Sequence, residues 1–535
     1  MIKSNKVMVT AGLLVGLLVA ALDQTIVDTA FPRMIADLHG ETIFTWVITA
    51  YMLASTSIVP VVGKLADIYG RKVFYLGGMI LFVGGSMLCG IAQSMPQLIA
   101  FRSIQGIGGG MLMPIAFTII GDIFPGEQRA KMQGLFGGVF GLASIFGPKM
   151  GGWITHHYTW RWIFYINLPI GVIAFVLMFL FYKESKGARR PIDWIGSITV
   201  TSGIIALLLG LNRGEEWGWG NPATLGLFAA AIALLVTFVI VEKRVEEPVI
   251  DPSLFANRTF TIMSLAGFLM GVGMFGAIIY VPWFIQGVVG VDPNQAGNVM
   301  TPMMLTMVVC SIAAGFLARR IAYRYQISAG FLIIAAGFYT MTHWTPETTQ
   351  LSATLSTMVM GAGMGTMMPI LTLAIQNAFP ANKRGVVTSA ATFFRSVGGT
   401  MGVTALGVVF NNQFNQRFND TMRPQFEKMA PLAAKAGPQA AEFFKTILEK
   451  PQTLIRVLLS EEAQKAIPGG AQAMAPVKTI MANSLHVVFW TSIAVVFIGF
   501  ITVQFLGNIS LKKQIAALGE DAAAPSDEPV FAGGH

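Results

Sequence analysis

The stretch Gly106-Ile-Gly-Gly-Gly-Met-Leu-Met-Pro-Ile-Ala-Phe-Thr-Ile-Ile-Gly-Asp-Ile-Phe-Pro-Gly-Glu-Gln-Arg129 returns 255 residues later as Gly361-Ala-Gly-Met-Gly-Thr-Met-Met-Pro-Ile-Leu-Thr-Leu-Ala-Ile-Gln-Asn-Ala-Phe-Pro-Ala-Asn-Lys-Arg384. Gly106, Gly108, Gly110, Met113, Pro114, Ile115, Phe124, Pro125 and Arg129 coincide with Gly361, Gly363, Gly365, Met368, Pro369, Ile370, Phe379, Pro380 and Arg384. Each copy is a long apolar run closed by Phe-Pro and a cation, which reads as a membrane-crossing helix and its exit. A weaker echo pairs Gly63-Lys64-Leu65-Ala66 with Gly315-Phe316-Leu317-Ala318, where Arg319 replaces Asp67. Repetition in the same sense along the chain points to a body built from two similar halves.

Composition agrees. Of 535 residues, 54% are hydrophobic and 12% charged, whereas soluble domains carry about 25% charged residues, so a soluble enzyme is excluded as the working class. Stretches of about 20 charge-poor residues are long enough to cross the hydrocarbon layer as helix. Fourteen occur, at 7–31, 43–62, 73–93, 98–120, 131–154, 161–182, 193–212, 222–242, 260–285, 295–318, 326–343, 351–378, 387–411 and 484–507. The first follows Lys3 and Lys6 but exceeds a signal h-region and has no small-residue cleavage site after it, so it is read as a membrane helix. Cys89 and Cys310 both lie in apolar runs, which suits neither a disulfide framework nor a metal site.

An even number of spans puts both termini on one side. With that side cytoplasmic, 21 of the 36 Lys and Arg are cytoplasmic, three (Arg33, Arg161, Arg213) lie in short outer loops, nine lie in the long outer segment, and Arg102, Lys149 and Arg395 lie within spans. This is the positive-inside pattern; it accounts for the net charge of +9 without a nucleic-acid partner. The expected organisation is an all-α polytopic membrane protein: a six-helix bundle over 1–182, an inserted two-helix hairpin and cytoplasmic linker over 183–258, a second six-helix bundle over 259–518 that includes the outer segment 412–483, and a disordered tail over 519–535. Within 412–483, Phe443, Phe444, Ile447 and Leu448 have helical spacing. They predict amphipathic helices lying either over the outer mouth or on lipid headgroups.

Ionisable groups inside a membrane are costly and by default functional. At 1.5 Å per residue, Asp23 lies about 24 Å from the cytoplasmic face on the first span, Arg102 about 22 Å on the fourth and Lys149 about 27 Å on the fifth. Burial opposes a carboxylate's charge and a nearby cation favours it, so an acid and a base at one depth can load and release a proton as access to water alternates. The plainer reading of Asp23 and Arg102 is a fixed ion pair joining helices. Asp28 lies about 140° round the helix from Asp23 and belongs either to the outer mouth or to proton carriage. Lys149 either takes part in transport or snorkels outward. Arg395, about 12 Å into the thirteenth span, has no obvious acidic partner.

The short loop Gly63-Lys-Leu-Ala-Asp67-Ile-Tyr-Gly70-Arg71-Lys72, with Asp122 at a corresponding cytoplasmic helix end, reads as a latch of opposite charges rather than as solvated loop charge. Glycines 106, 108 and 110 lie within a span without a preceding strand, so close helix packing, not nucleotide binding, explains them. The same holds for Gly147, Pro148, Gly151 and Gly152. His156 and His157 have no third ligand and carry no metal site. Met300, Met303, Met304 and Met307 form a stripe at helical spacing that either lines a pocket for varied apolar ligands or packs. With Gln24 and Gln105 they are the candidates for a substrate cavity.

Together these residues resemble the major facilitator superfamily, specifically its fourteen-span drug:proton antiporters of the QacA and EmrB type. Gly63 to Lys72 resembles motif A, Arg102 with Gln105-Gly106 resembles motif B, and Gly147-Pro148-Lys149-Met150-Gly151-Gly152 resembles the antiporter motif C. Leu22-Asp23-Gln24-Thr25-Ile26-Val27 followed by Pro32, Trp160-Arg161-Trp162-Ile163-Phe164 with Asn167-Leu168-Pro169, and Gln286 before Gly290 are similar to further family features. The resemblance implies two six-helix bundles rocking about a central cavity, Asp23 as proton site with Arg102 beside it, the motif A loop as inner gate and motif C favouring export. Asp28 and Lys149 depart from the pattern: an added acid suits cationic compounds, an added lysine neutral or anionic amphiphiles.

The expected function is proton-coupled export of hydrophobic or amphiphilic compounds across the cytoplasmic membrane. The protein would act as a monomer among membrane lipids, with the proton gradient as energy source and no cofactor. The alternatives are an exporter of lipid or lipid-linked envelope amphiphiles, for which 412–483 would meet an envelope partner, and a non-transporting sensor. No nucleophile with its base and no metal constellation supports an enzyme.

Overall fold

The computed structural model describes residues 5–38, 43, 46–124, 126–184, 191–290, 293–318, 320–380, 383–449, 451–459 and 474–509. The tail expected at 519–535, and Arg319 of the weaker echo, lie outside the described residues. Among these residues the chain is helical with no strand, as a backbone that must satisfy its own polar groups in hydrocarbon requires.

Helix α1 (Lys6–Ile26) starts on Asn5, whose side chain accepts from the Met8 N–H. The first span was expected to run to 31; instead the α-helix stops at Ile26 and continues as a 3₁₀ turn over Val27–Ala30 and then α2 (Phe31–Leu38). Pro32 is the cause, since it has no N–H to bond the carbonyl four residues back. There follow α3 (Trp46–Tyr69), α4 (Arg71–Gly90), α5 (Met95–Ile123), α6 (Gly126–His157), and the short α7 (Trp162–Tyr165) running into α8 (Asn167–Phe181). Gly70 joins α3 to α4 at φ +107°, a conformation that L side chains avoid.

The hairpin is α9 (Trp194–Trp217), capped by Asp193, and α10 (Pro222–Glu242), capped by Asn221 with proline in its first turn. The two helices pack on each other, and α9 also packs on α3. The second half comprises α11 (Arg258–Trp283), which passes into a π-helical turn at Phe284–Val289, then α12 (Pro293–Leu317), α13 (Tyr323–Met341), α14 (Gln350–Asn377) and α15 (Arg384–Thr421). Helix α15 outruns the expected span by ten residues. The outer segment then folds as α16 (Arg423–Ala436), α17 (Pro438–Glu449) and α18 (Thr453–Leu459), and the chain returns through α19 (Ala475–Gln504). Phe418, Phe426 and Phe444 meet in sequence as tilted ring pairs at 5.6 and 5.5 Å between centroids, and Ile447, Leu454 and Leu458 are buried in the same core as the C-terminal helices. These outer helices rest on protein.

Twelve helices are, among the described residues, long and apolar enough to cross a membrane. The expected fifth and eleventh spans fall on α6 and α13, which are helical but outside that twelve, so the count of fourteen is not confirmed. Helix α13 opens on Tyr-Arg-Tyr-Gln, which lowers its hydropathy.

The repeated glycines act in the same way in both copies. A side chain on Gly106 or Gly110 would strike the Tyr51 or Ser55 carbonyl of α3, and one on Gly108 would strike Gly78 and Phe82 of α4. In the second copy Gly361 and Gly365 lie against the Met303 and Met307 carbonyls of α12, and Gly363 lies against Gly330 and Ile334 of α13. Glycine at positions i and i+4 therefore seats one neighbouring helix, and glycine at i+2 seats the other, by close backbone approach.

Candidate functional site

Asp23 is fully buried and Arg102 is 2% exposed. The depth shared in the sequence becomes contact: Arg102 Nη1 donates to Asp23 Oδ2 at 2.6 Å. Gln105 Nε2 and Asn167 Nδ2 donate to Asp23 Oδ1 at 2.8 and 3.0 Å. Arg102 also donates to Gln105 Oε1 at 2.8 Å and, through Nε, to the Val47 carbonyl at 3.3 Å. Its guanidinium lies 4.3 Å from the centroid of the Tyr51 ring, and Ser86 Oγ accepts a second Asn167 N–H at 2.9 Å. Four helices, α1, α4, α5 and α8, are thus tied to one carboxylate, which accepts three hydrogen bonds, one of them charge-assisted.

Arg102 and Gln105 are three residues apart on α5 and so share a face. Gln105, expected at the substrate cavity, is fully buried and belongs to the Asp23 network instead. Gln24, the next residue after Asp23, is exposed. Asn167 appeared in the sequence only within Asn-Leu-Pro, and nothing marked Tyr51 or Ser86. The side chains of Asp28 and Pro148 lie outside the described residues. Gly147 packs where a side chain would strike Thr25, whose Oγ1 donates to the Ala143 carbonyl at 3.1 Å, so this glycine seats α6 on α1. Gly151 is buried; Gly152 and Lys149 are exposed. Arg395 is half-buried. Met303 and Met307 are buried against α14, which leaves Met300 and Met304 of the stripe partly open.

A second cluster holds the two halves together at the ends the charge count assigns to the cytoplasm. Arg71 pairs with Asp67 at 2.9 Å and with Asp122. Asp67 Oδ2 also accepts the Val386 N–H at 2.9 Å, at the start of α15. Gly63 and Gly385 allow this seam, since side chains there would strike Ser389 and the Asp67 carboxylate. Arg384 donates to the Gly121 carbonyl at 3.1 Å and lies 3.8 Å from Asp122. In the opposite direction Arg129 donates to Asn377 Oδ1 at 2.5 Å, and Asn377 Nδ2 donates to the Tyr323 hydroxyl at 3.4 Å. Gln376 Nε2 donates to the Phe117 carbonyl and to Thr388 Oγ1, both at 3.1 Å. Asp67, Arg71 and Asp122 thus meet at this seam, which Gly63 allows to close up, and their partners on α14 and α15 were not read from the sequence.

The linker after the hairpin spans this seam. Lys64 of α3 pairs with Glu247 at 2.7 Å, and Lys383 before α15 pairs with Asp251 at 3.2 Å. Glu242 accepts the Val249 and Ile250 N–H groups at 3.1 and 3.3 Å, which folds the linker back on the end of α10. Glu184 accepts the N–H groups of Arg71 and Lys72 at 2.8 and 2.9 Å and so caps α4 at the latch.

A polytopic helical body with a repeated half, a buried acid–base network in one half and a latch between the halves is a membrane transporter, not an enzyme. The Major Facilitator Superfamily profile matches residues 13–403, and the chain belongs to that family. It is 45% identical over 496 residues to the multidrug transporter protein MdtP of Bacillus subtilis, covering 92% of this chain and 91% of that protein. It is 42% identical over 414 residues to multidrug resistance protein 3 of the same organism, covering 77% and 81%. In fold it is similar to the human organic anion transporter MFSD10 (TETRAN), with a TM-score of 0.62 at 13% identity, covering 94% of this chain and all of that one.

Proposed function

We propose that this transporter exports hydrophobic or amphiphilic compounds across the cytoplasmic membrane in exchange for protons, by alternating access, as a monomer with both termini cytoplasmic. The observation that carries the reading is the fully buried Asp23 carboxylate on Arg102, while the latch and linker close the opposite side. Two relatives named as multidrug proteins support the substrate class.

In the state described, the cytoplasmic seam is shut and Asp23 is held by Arg102, Gln105 and Asn167. A proton arriving from outside neutralises Asp23 and removes the charge that Arg102 faces. An unpaired guanidinium in low dielectric then favours rearrangement of α1 against α5. Transmission of that movement to α3 frees Asp67 from Val386, the inner side opens, and the proton leaves toward the cytoplasm as a substrate enters. Motif C glycines let α6 slide on α1 during the exchange.

The test is proton flux in proteoliposomes carrying a pH-sensitive dye, with an imposed gradient and a panel of lipophilic cations and neutral amphiphiles. Substrate-dependent proton movement that disappears in Asp23→Asn, while the variant still inserts, supports the reading. Gradient-dependent efflux retained in Asp23→Asn rejects it.

A further inference from the structure

The three side chains that bond Asp23 are not held equally. Arg102 has only donors to offer, and they lie on Asp23 Oδ2, Gln105 Oε1 and the Val47 carbonyl. The Gln105 amide is fixed in one orientation, because its Oε1 accepts from Arg102 at 2.8 Å and from the Cys89 thiol at 3.6 Å, so that Nε2 faces Asp23. Asn167 has no such anchor. Its Nδ2 donates to Asp23 Oδ1 and to Ser86 Oγ, while its buried Oδ1 has no hydrogen-bond partner among the described residues. Asn167 also opens α8 where the short α7 ends, and Pro169, two residues on, has no N–H to bond the carbonyl four residues back. Ser86 Oγ in turn donates to the Phe164 carbonyl of α7 at 2.9 Å.

An ionised carboxylate only accepts hydrogen bonds, whereas a protonated one must also donate. With a proton on Asp23 Oδ1, its O–H would meet the Asn167 N–H, donor against donor, and a buried O–H without an acceptor is costly. Arg102 has no acceptor, and Gln105 Oε1 already takes two donors. The free oxygen of Asn167 is left. Half a turn about the Asn167 Cβ–Cγ bond exchanges Oδ1 with Nδ2, so that Oδ1 receives the Asp23 O–H and Ser86 can turn its hydroxyl from Phe164 toward the same oxygen. In either orientation one end of the amide lacks a partner among the described residues, so the amide's own bonds favour neither and the proton on Asp23 decides.

We propose that Asn167 is a positioning residue that reads the protonation state of Asp23: its amide donates to the carboxylate, turns over when Asp23 takes up a proton, and then accepts from it. Ser86 passes the turn to Phe164 at the break between α7 and α8. This inference rests on the proposed uptake of a proton by Asp23. The proton is added to Asp23 Oδ1, and no bond of the amide breaks. Arg102, Cys89 and Tyr51 are the charged and titratable groups set around Asp23 among the described residues.

The experiment follows the full chain in lipid nanodiscs by infrared difference spectroscopy over an acid titration, with asparagine labelled by heavy carbon at its side-chain carbonyl. Protonation of Asp23 should give a carboxylic-acid band that is missing in Asp23→Asn. A label-sensitive amide carbonyl band should shift to lower frequency along with it, since that oxygen gains two hydrogen bonds. The shift should be lost in Asn167→Leu and in Asp23→Asn, and reduced in Ser86→Ala, where the turned amide accepts one hydrogen bond fewer. An Asp23 band that titrates without an Asn167-dependent amide shift overturns the switch and leaves the proton site standing. Absence of the Asp23 band throughout the titration overturns both. Should Asn167→Leu fail to fold, Ser86→Ala carries the test, and an unreduced shift in that variant overturns the switch.

Discussion

Arg129 and Arg384 stand 255 positions apart at the ends of two copies of one motif, and each reaches into the other's half of the molecule. Arg129 bonds Asn377, and Arg384 bonds the Gly121 carbonyl beside Asp122. Asn377 and Asp122 are themselves 255 positions apart. The seam is therefore a reciprocal clasp in which each copy supplies an arginine and receives one.

The two arms differ in charge, because one receiver is an asparagine and the other an aspartate. Asn377→Asp should strengthen its arm by about 1 kcal/mol, the difference between an ordinary and an ionic acceptor, and favour the closed seam roughly five-fold. A cysteine at Ser389, in a Cys310→Ser background, reports this through its reaction with an impermeant maleimide in inside-out vesicles. The rate should fall for Asn377→Asp and rise for Arg129→Ala.

Glycine packing predicts matched losses in the two halves. Gly110→Val and Gly365→Val each force a side chain against a carbonyl of the neighbouring helix, at about 1–3 kcal/mol. Thermal unfolding in detergent should show both destabilised. Gly77, with open space beside it, should tolerate alanine or gain about 0.5–1 kcal/mol.

The geometry of the Asp23 network makes Arg102 the more sensitive partner. Arg102→Ala leaves a buried carboxylate without its cation, a loss of about 3–5 kcal/mol. Adding Asp23→Asn to Arg102→Ala should recover much of that stability, because no uncompensated charge remains. Unfolding temperatures of the single and double variants check this, and a double variant no more stable than Arg102→Ala would contradict it.

Much of this was legible in the chain because membrane helices have a fixed rise. Counting residues set Asp23 and Arg102 at one depth, and the structure joins them. Counting could not find Asn167 or Gln105 as further donors, since rotation about each helix axis is decided by packing. The clasp was half-visible: the arginines are identical in the two copies, but Asp122 and Asn377 differ, and a search for identities passes over them. Glu247 and Asp251 lie in a linker without periodicity, where a carboxylate gives no sign of its partner. Met303 and Met307 face glycines on α14, and methionine spacing alone does not separate packing from pocket lining.

The contact between Lys383 and Asp251 should persist in mild acid. Burial opposes the charge on Asp251, but Ser253 and Lys383 outweigh it and hold the carboxyl below its ordinary value. A lowered value means that the contribution is complete above the unfolded value of about 3.9 and is lost only as pH falls through the lower folded one. Hydrogen exchange over residues 251–257, corrected for intrinsic rates, should therefore be unchanged between about pH 7 and pH 5. Lys383→Ala, which removes the partner of Asp251, should raise it at both.

The clasp also bears on how the molecule tolerates error. Its arms occupy matching positions in the two copies and bond in opposite directions, so damage to either leaves the other in place. Loosening of the seam should accumulate stepwise through mutation, with a single hit giving a mild phenotype and a severe one requiring lesions in both copies. Repetition of one motif thus gives the seam two points of closure, so that neither has to bear it alone.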